Sequence, residues 1–224
     1  MWHSREDVLS APRIASPSHF TRDFAARSGI GTAAEQPGTQ HPHDLAAPAP
    51  LVERAFAFVD LCGFTSFLVS QGEHAATDAL RRFRVSARDI AARRGVQIAK
   101  WLGDGAMLVT DEVGPAIATA AELVLLWSHE VLPLRGGIAH GAVLIFDGND
   151  YIGRPTNLAA RLCDAARPGE LLAVGYPADA LPQWIEVTAT RDLALRGIGE
   201  IGQVQHLAVV AHLRRRVERA ASVR

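Results

Sequence analysis

Lys100-Trp101-Leu102-Gly103-Asp104-Gly105 reads as the end of a strand running into a Gly-Asp-Gly turn, and Ala106-Met107-Leu108-Val109-Thr110 returns as a second strand. A hairpin over residues 96–110 follows. On its N-terminal side, Ala55-Phe56-Ala57-Phe58-Val59-Asp60 is a short apolar run that predicts a buried strand closing on an acid. Between the two, Ala76, Leu80, Phe83, Ala87 and Ile90 recur at spacings of three and four with arginines on the other face. That pattern predicts an amphipathic helix over 73–93, stopped by Gly95.

Beyond the hairpin, the periodicity predicts a helix over 115–130, strands over 134–139 and 143–146, and a helix over 156–166. Pro168-Gly169 then leads to a strand at 171–174, with further strands around 184–190 and 204–211. Helices inserted between antiparallel pairings suggest an α+β sandwich of the ferredoxin-like kind, an antiparallel sheet with helices packed on it, rather than a doubly wound parallel sheet.

At 224 residues the chain has room for one ordinary domain and an appendage. Six prolines punctuate residues 1–50, which read as a tail or small appendage, and a short helix around 20–28 and plain disorder are both compatible with that stretch. The domain is expected over 51–212, with a basic tail over 213–224. Hydrophobic content of 48%, charged content of 21% and a net charge of -1 exclude a bulk attraction to nucleic acid or anionic lipid, so any polyanion has to be held locally.

Cys62 and Cys163 fit no metal spacing and are too few for a disulfide scaffold, which suits a reducing cytosol. The first six residues lack the order of a signal peptide, and the apolar stretch 116–134 is interrupted by Glu122, His129, Glu130 and Pro133. A cytoplasmic protein with no membrane span is the expectation.

Lys100 is the only lysine in the chain; every other side-chain cation of that kind is arginine. Either arginine-rich coding left one lysine, or the position needs a compact ammonium that can single out one ring nitrogen. Asp60 ends one strand and Asp104 sits at the tip of the hairpin. Singly, each reads as an acid capping a turn; together, on adjacent strands, they suit a hard divalent cation that completes its shell with water and substrate phosphates. Leu61-Cys62-Gly63-Phe64-Thr65 is a glycine turn feeding a helix, whose free N–H groups could cradle a polyphosphate. Asn157 and Arg161, at i and i+4, are either a helix cap and an unrelated surface arginine or a pair able to grip a sugar and a phosphate.

Three segments, 58–65, 100–105 and 150–161, resemble in order and separation the signature segments of the class III nucleotidyl cyclase catalytic domain, over about residues 54–210. The resemblance implies the ferredoxin-like cyclase fold, a head-to-tail homodimer with composite sites at the interface, two Mg2+ or Mn2+ ions, and ATP or GTP as substrate. It makes Asp60 and Asp104 the metal ligands, with Leu61 beside them, and places Gly63, Phe64 and Thr65 against the substrate. Lys100 and Asp150 become the base-reading pair, Asn157 orients the ribose, and Arg161 stabilises charge at the α-phosphate.

Adenine offers an acceptor at N1 and a donor at N6, which match an ammonium and a carboxylate, whereas guanine presents the reverse. An adenylate cyclase making cyclic AMP and pyrophosphate is therefore expected. The alternative is a non-catalytic or partner-dependent nucleotide-binding regulatory module. A palm-type polymerase or diguanylate cyclase relative would need a Gly-Gly-(Asp/Glu)-Glu-Phe-like turn, which is absent from the sequence. The chain departs from the family pattern at His140, shifted by one place, at Pro155-Thr156, and at Ile198, where a lysine for the terminal phosphates is usual and Arg196 is the substitute candidate.

Overall fold

Two buried faces on one strand organise the domain. In β1 (Leu51–Leu61), Ala55, Ala57, Val59 and Leu61 enter one hydrophobic core while Phe56 enters another, as the two-residue repeat of a central strand requires. The computed structural model describes residues 51–128, 130–146 and 150–210. Contacts divide the chain into Met1–Asp44 and Leu45–Arg224, and every described residue belongs to the second unit. The expected tails, the helix near 20–28 and residues 147–149 lie outside the described residues.

After β1 come α1 (Phe64–Arg93), β2 (Gln97–Leu102), β3 (Gly105–Thr110), α2 (Val113–Leu126), β4 (Leu134–Phe146), β5 (Asp150–Ile152), α3 (Arg154–Ala165), β6 (Leu171–Val174), β7 (Ile185–Leu195) and β8 (Gly199–Val209). The strands form one mixed sheet in the order β2-β3-β1-β4-β6-β8-β7, with β5 paired to β4. Only the β4–β6 pairing among them is parallel. Helices α1 and α2 contribute Phe83, Ile90, Ile117 and Leu123 to the first core, and α3 contributes Leu158, Ala159 and Leu162 to the second. This is the expected α+β sandwich, with helices on both faces of the sheet.

Four boundaries differ from expectation. The first helix begins at Phe64 and is broken at Gly72 (φ 84°, ψ 171°), so the predicted 73–93 segment is its second arm. Helix α2 stops at Leu126, because Trp127 turns into the core and packs edge-on against Phe83 at 5.9 Å. The two strands expected at 134–139 and 143–146 are one, β4, because β1 pairs with it without interruption from Leu51↔Leu144 to Leu61↔Leu134. The last two strands form a longer hairpin, whose tip holds Arg196 and Gly197.

Helix α3 lies directly on β4 at Gly137. A Cβ there would stand 2.2 Å from the Cys163 amide nitrogen and 2.3 Å from the Ala159 carbonyl oxygen, both backbone atoms that cannot swing aside. Gly137→Ala is therefore expected to lift the helix and destabilise the domain by about 3 kcal/mol or more, at the upper end of overpacking costs. A urea midpoint equal to that of the wild type would contradict this close approach.

Candidate active site

Asp60, the penultimate residue of β1, is registered opposite Gly105 of β3 on one side and Arg135 of β4 on the other. Asp104 occupies the turn between β2 and β3, and its carbonyl accepts the Leu61 N–H at 3.3 Å. The hairpin tip is thus fastened to the end of β1, which brings the two acids to one place at the sheet edge. Gly105 makes this possible: a Cβ there would be 2.8 Å from the Val59 carbonyl oxygen and 3.2 Å from Asp60 Oδ1.

Arg135 completes the cluster. Its Nε and Nη2 donate to Asp60 Oδ2 at 3.1 and 2.8 Å, and its Nη1 donates to the Asp164 carbonyl oxygen of α3 at 2.9 Å. Sequence reasoning passed over Arg135, noticing only the displaced histidine in its strand. The sequence offers only an arginine at the start of an apolar strand; its place across from Asp60 comes from the sheet register.

The electrostatics are those of a site short of positive charge. Burial and then the Asp60 charge push the Asp104 carboxyl above its ordinary range, against the opposing pull of its own backbone N–H and of Arg135. Burial likewise raises the Cys62 and Cys163 thiols, which keeps both uncharged and unreactive at neutral pH. A divalent cation between Asp60 and Asp104 would relieve the repulsion that raises Asp104, and oxygen donors suit Mg2+ or Mn2+. Among the described residues no group of three or more His, Cys, Asp or Glu side chains is arranged as a metal cage, so substrate oxygens and water would have to complete the coordination. Leu61 is buried, and only its backbone is available to such an ion.

Gly63 adopts a left-handed conformation (φ 78°) at the N-terminus of α1, and no side chain caps that helix. The N–H groups of its first turn, including Phe64 and Thr65, are available to an anion. Lys100 on β2 and Asp150 on β5, fifty residues apart, form an ion pair, and both side chains are about half exposed, at 42% and 46%. Beside them Tyr151 packs edge-on against Phe56 at 5.3 Å. On α3, Asn157 is exposed and Arg161 pairs with Asp164 at 3.0 Å. The structure therefore joins Asp60 with Asp104 and Lys100 with Asp150, whereas Asn157 and Arg161 stand on the surface of α3. At the β7–β8 tip Arg196 is exposed, and Ile198 packs on the second core.

Solved structures of nucleotidyl cyclases share this architecture. An adenylate cyclase from Trypanosoma brucei superposes with a TM-score of 0.63 at 22% identity, over 71% of this chain and 89% of that one. The guanylyl cyclase Cya2 gives 0.62 at 18% identity, over 73% and 95%. The chain has the class III nucleotidyl cyclase fold.

Sequence similarity runs the same way. An uncharacterized Mycobacterium tuberculosis protein is 33% identical over 213 residues, 88% of this chain and 53% of its own length. An adenylate cyclase from Glutamicibacter nicotianae is 31% identical over 162 residues, 70% of this chain and 40% of its own. The chain spans about half or less of the length of these curated relatives. No family model matches it. Among the described residues no helix of this cyclase-fold domain is long and apolar enough to cross a membrane.

Proposed function

We propose that this is the catalytic domain of an adenylate cyclase, occupying residues 51–212 and acting as a head-to-tail homodimer that converts ATP to 3′,5′-cyclic AMP and pyrophosphate. The observation that carries this reading is the Lys100–Asp150 pair, a point donor and an acceptor brought together from fifty residues apart on a domain that also joins two carboxylates. Adenine N1 accepts from the ammonium and N6 donates to the carboxylate; guanine would set donor against donor and acceptor against acceptor.

Asp60 and Asp104 would hold Mg2+ or Mn2+, with the Leu61 backbone beside them. Bound there, divalent ions would acidify the ribose 3′-hydroxyl and neutralise the triphosphate. The chain itself supplies position and charge. The N–H groups at Gly63, Phe64 and Thr65 receive phosphate oxygens, and the Arg135 guanidinium adds a fixed cation beside the carboxylates. Asn157 orients the ribose so that O3′ lies in line with the bond to the leaving pyrophosphate. As O3′ gives up its proton to solvent and bonds to the α-phosphorus, the bond to pyrophosphate breaks, and Arg161 stabilises the charge gathering on the phosphoryl oxygens. Asn157 and Arg161 serve the site of the opposite subunit, which agrees with the exposure of Asn157 and the partial exposure of Arg161 on α3.

Incubating the purified chain with ATP and Mn2+ tests the activity, with cyclic AMP and pyrophosphate expected in equal amounts. Absence of both products would favour the regulatory-module alternative. Composite sites make a further prediction. Asp60→Ala and Asn157→Ala chains are each inactive, yet an equal mixture restores about a quarter of wild-type sites, because half of the dimers are mixed and each has one intact site of two. No recovery after verified subunit exchange would place all of these residues in one chain's site.

A further inference from the structure

Arg135 touches both halves of the catalytic apparatus carried by one chain. Its Nε and Nη2 converge on Asp60 Oδ2, while Nη1 reaches the carbonyl oxygen of Asp164 at 2.9 Å. That carbonyl belongs to the last turn of α3, where helix geometry leaves acceptors without intrahelical partners and a cation is favoured by the helix dipole. The same Asp164 holds Arg161 through its carboxylate at 3.0 Å. A continuous path therefore runs from Asp60 through the guanidinium to Asp164 and on to Arg161. The Asp60 and Arg135 side chains are only 27% and 26% exposed, so the central link is partly shielded from solvent.

We propose that Arg135 is a positioning residue that fastens the end of β1 to the C-terminus of α3, so that a change at Asp60 is transmitted to Arg161. Lysine could not do the same. An ammonium can satisfy one of the two partners, but the fork of a guanidinium spans both at once. Asp60 Oδ2 takes two of the three Arg135 bonds, so any cation that draws this carboxylate toward Asp104 also pulls on α3. Where the two sites of a dimer are composite, as the proposed function has it, Asp60 and Arg161 of one chain work in different sites. The latch then links those sites, and nucleotide saturation departs from a simple hyperbola.

Hydrogen exchange on the full chain, without metal or nucleotide, tests the latch independently of catalysis. Asp60→Ala and Arg135→Lys are each expected to speed exchange in the last turn of α3, residues 162–165, by about fivefold or more through local opening. Exchange there should stay at the wild-type rate in Asp104→Asn, whose side chain forms no hydrogen bond with Arg135. Unchanged exchange in Asp60→Ala, or an equal acceleration in β6, would overturn the proposal. ATP saturation supplies the second arm: the wild type is expected to be non-hyperbolic and Arg135→Lys hyperbolic. A hyperbolic wild type would refute the link between sites, whereas a wild type that makes no product refutes the cyclase reading and leaves the exchange result standing.

Discussion

Asp60→Ala and Asp104→Asn should each lower cyclic AMP formation by about a thousandfold or more, yet they should move the stability of the metal-free protein in opposite directions. The catalytic loss is shared because each variant takes one of two carboxylates from a site that offers a cation little else from protein, and a preorganised electrostatic contact of this kind is worth about 10²–10³ in rate at the least. The stability effects differ because the partners differ. Asp60 is the anchor of Arg135, and its removal strands a half-buried guanidinium, at a cost of about 1–3 kcal/mol for charge-assisted hydrogen bonds.

Asp104 has no such partner. Its carboxyl is raised by burial and by Asp60, so the folded state binds that proton more tightly than the unfolded chain does. Stability linked to Asp104 is therefore present at low pH and is lost as pH rises through the window between the unfolded and the raised folded value. Asparagine cannot ionise, so Asp104→Asn should remove this decline and melt above the wild-type temperature at neutral pH. Thermal melts of the three proteins across that pH range, without metal, decide the matter. A lower melting temperature for Asp104→Asn would mean that the carboxylate is stabilised by something other than a bound cation.

How much of this could be read from the chain depends on whether the signal was local. The hairpin at Gly103-Asp104-Gly105 and the acid ending β1 are written in turn chemistry and short apolar runs, so the placement of Asp60 and Asp104 at strand ends was legible. The continuity of β4 was not, because Gly141 interrupts the apolar pattern and only the unbroken register with β1 carries the strand across it. Strand β5 has three residues and exists by pairing with Leu144, Ile145 and Phe146, a partnership without a periodic signature of its own. Arg135 escaped for the same reason: its meaning lies in the cross-strand position opposite Asp60, which no spacing along the chain encodes. The nearness of Lys100 to Asp150 likewise comes from sheet topology: Lys100 stood out as the chain's only lysine, but its partnership with Asp150 was reached only through resemblance to a family.

The last expected result gives that pair a direction. In the nucleotide-free chain Lys100 and Asp150 satisfy one another, so neither charge is stranded before substrate arrives. Adenine would replace each partner with one of matching polarity, N1 for the carboxylate and N6 for the ammonium. The double variant Lys100→Glu, Asp150→Asn reverses the pattern: the new carboxylate accepts from guanine N1–H and the amide donates to O6. Each mismatched polar contact with adenine leaves a group without a partner, at about 1–3 kcal/mol, so kcat/KM for ATP should fall by more than about tenfold. GTP should suffer less, because its edge now meets complementary groups, although Arg161 and the carboxylate pair still govern the absolute rate. The ratio of kcat/KM values for ATP and GTP isolates the effect, since general damage to the dimer or to the metal site lowers both alike. An unchanged ratio would show that the only lysine of this chain does not read the base.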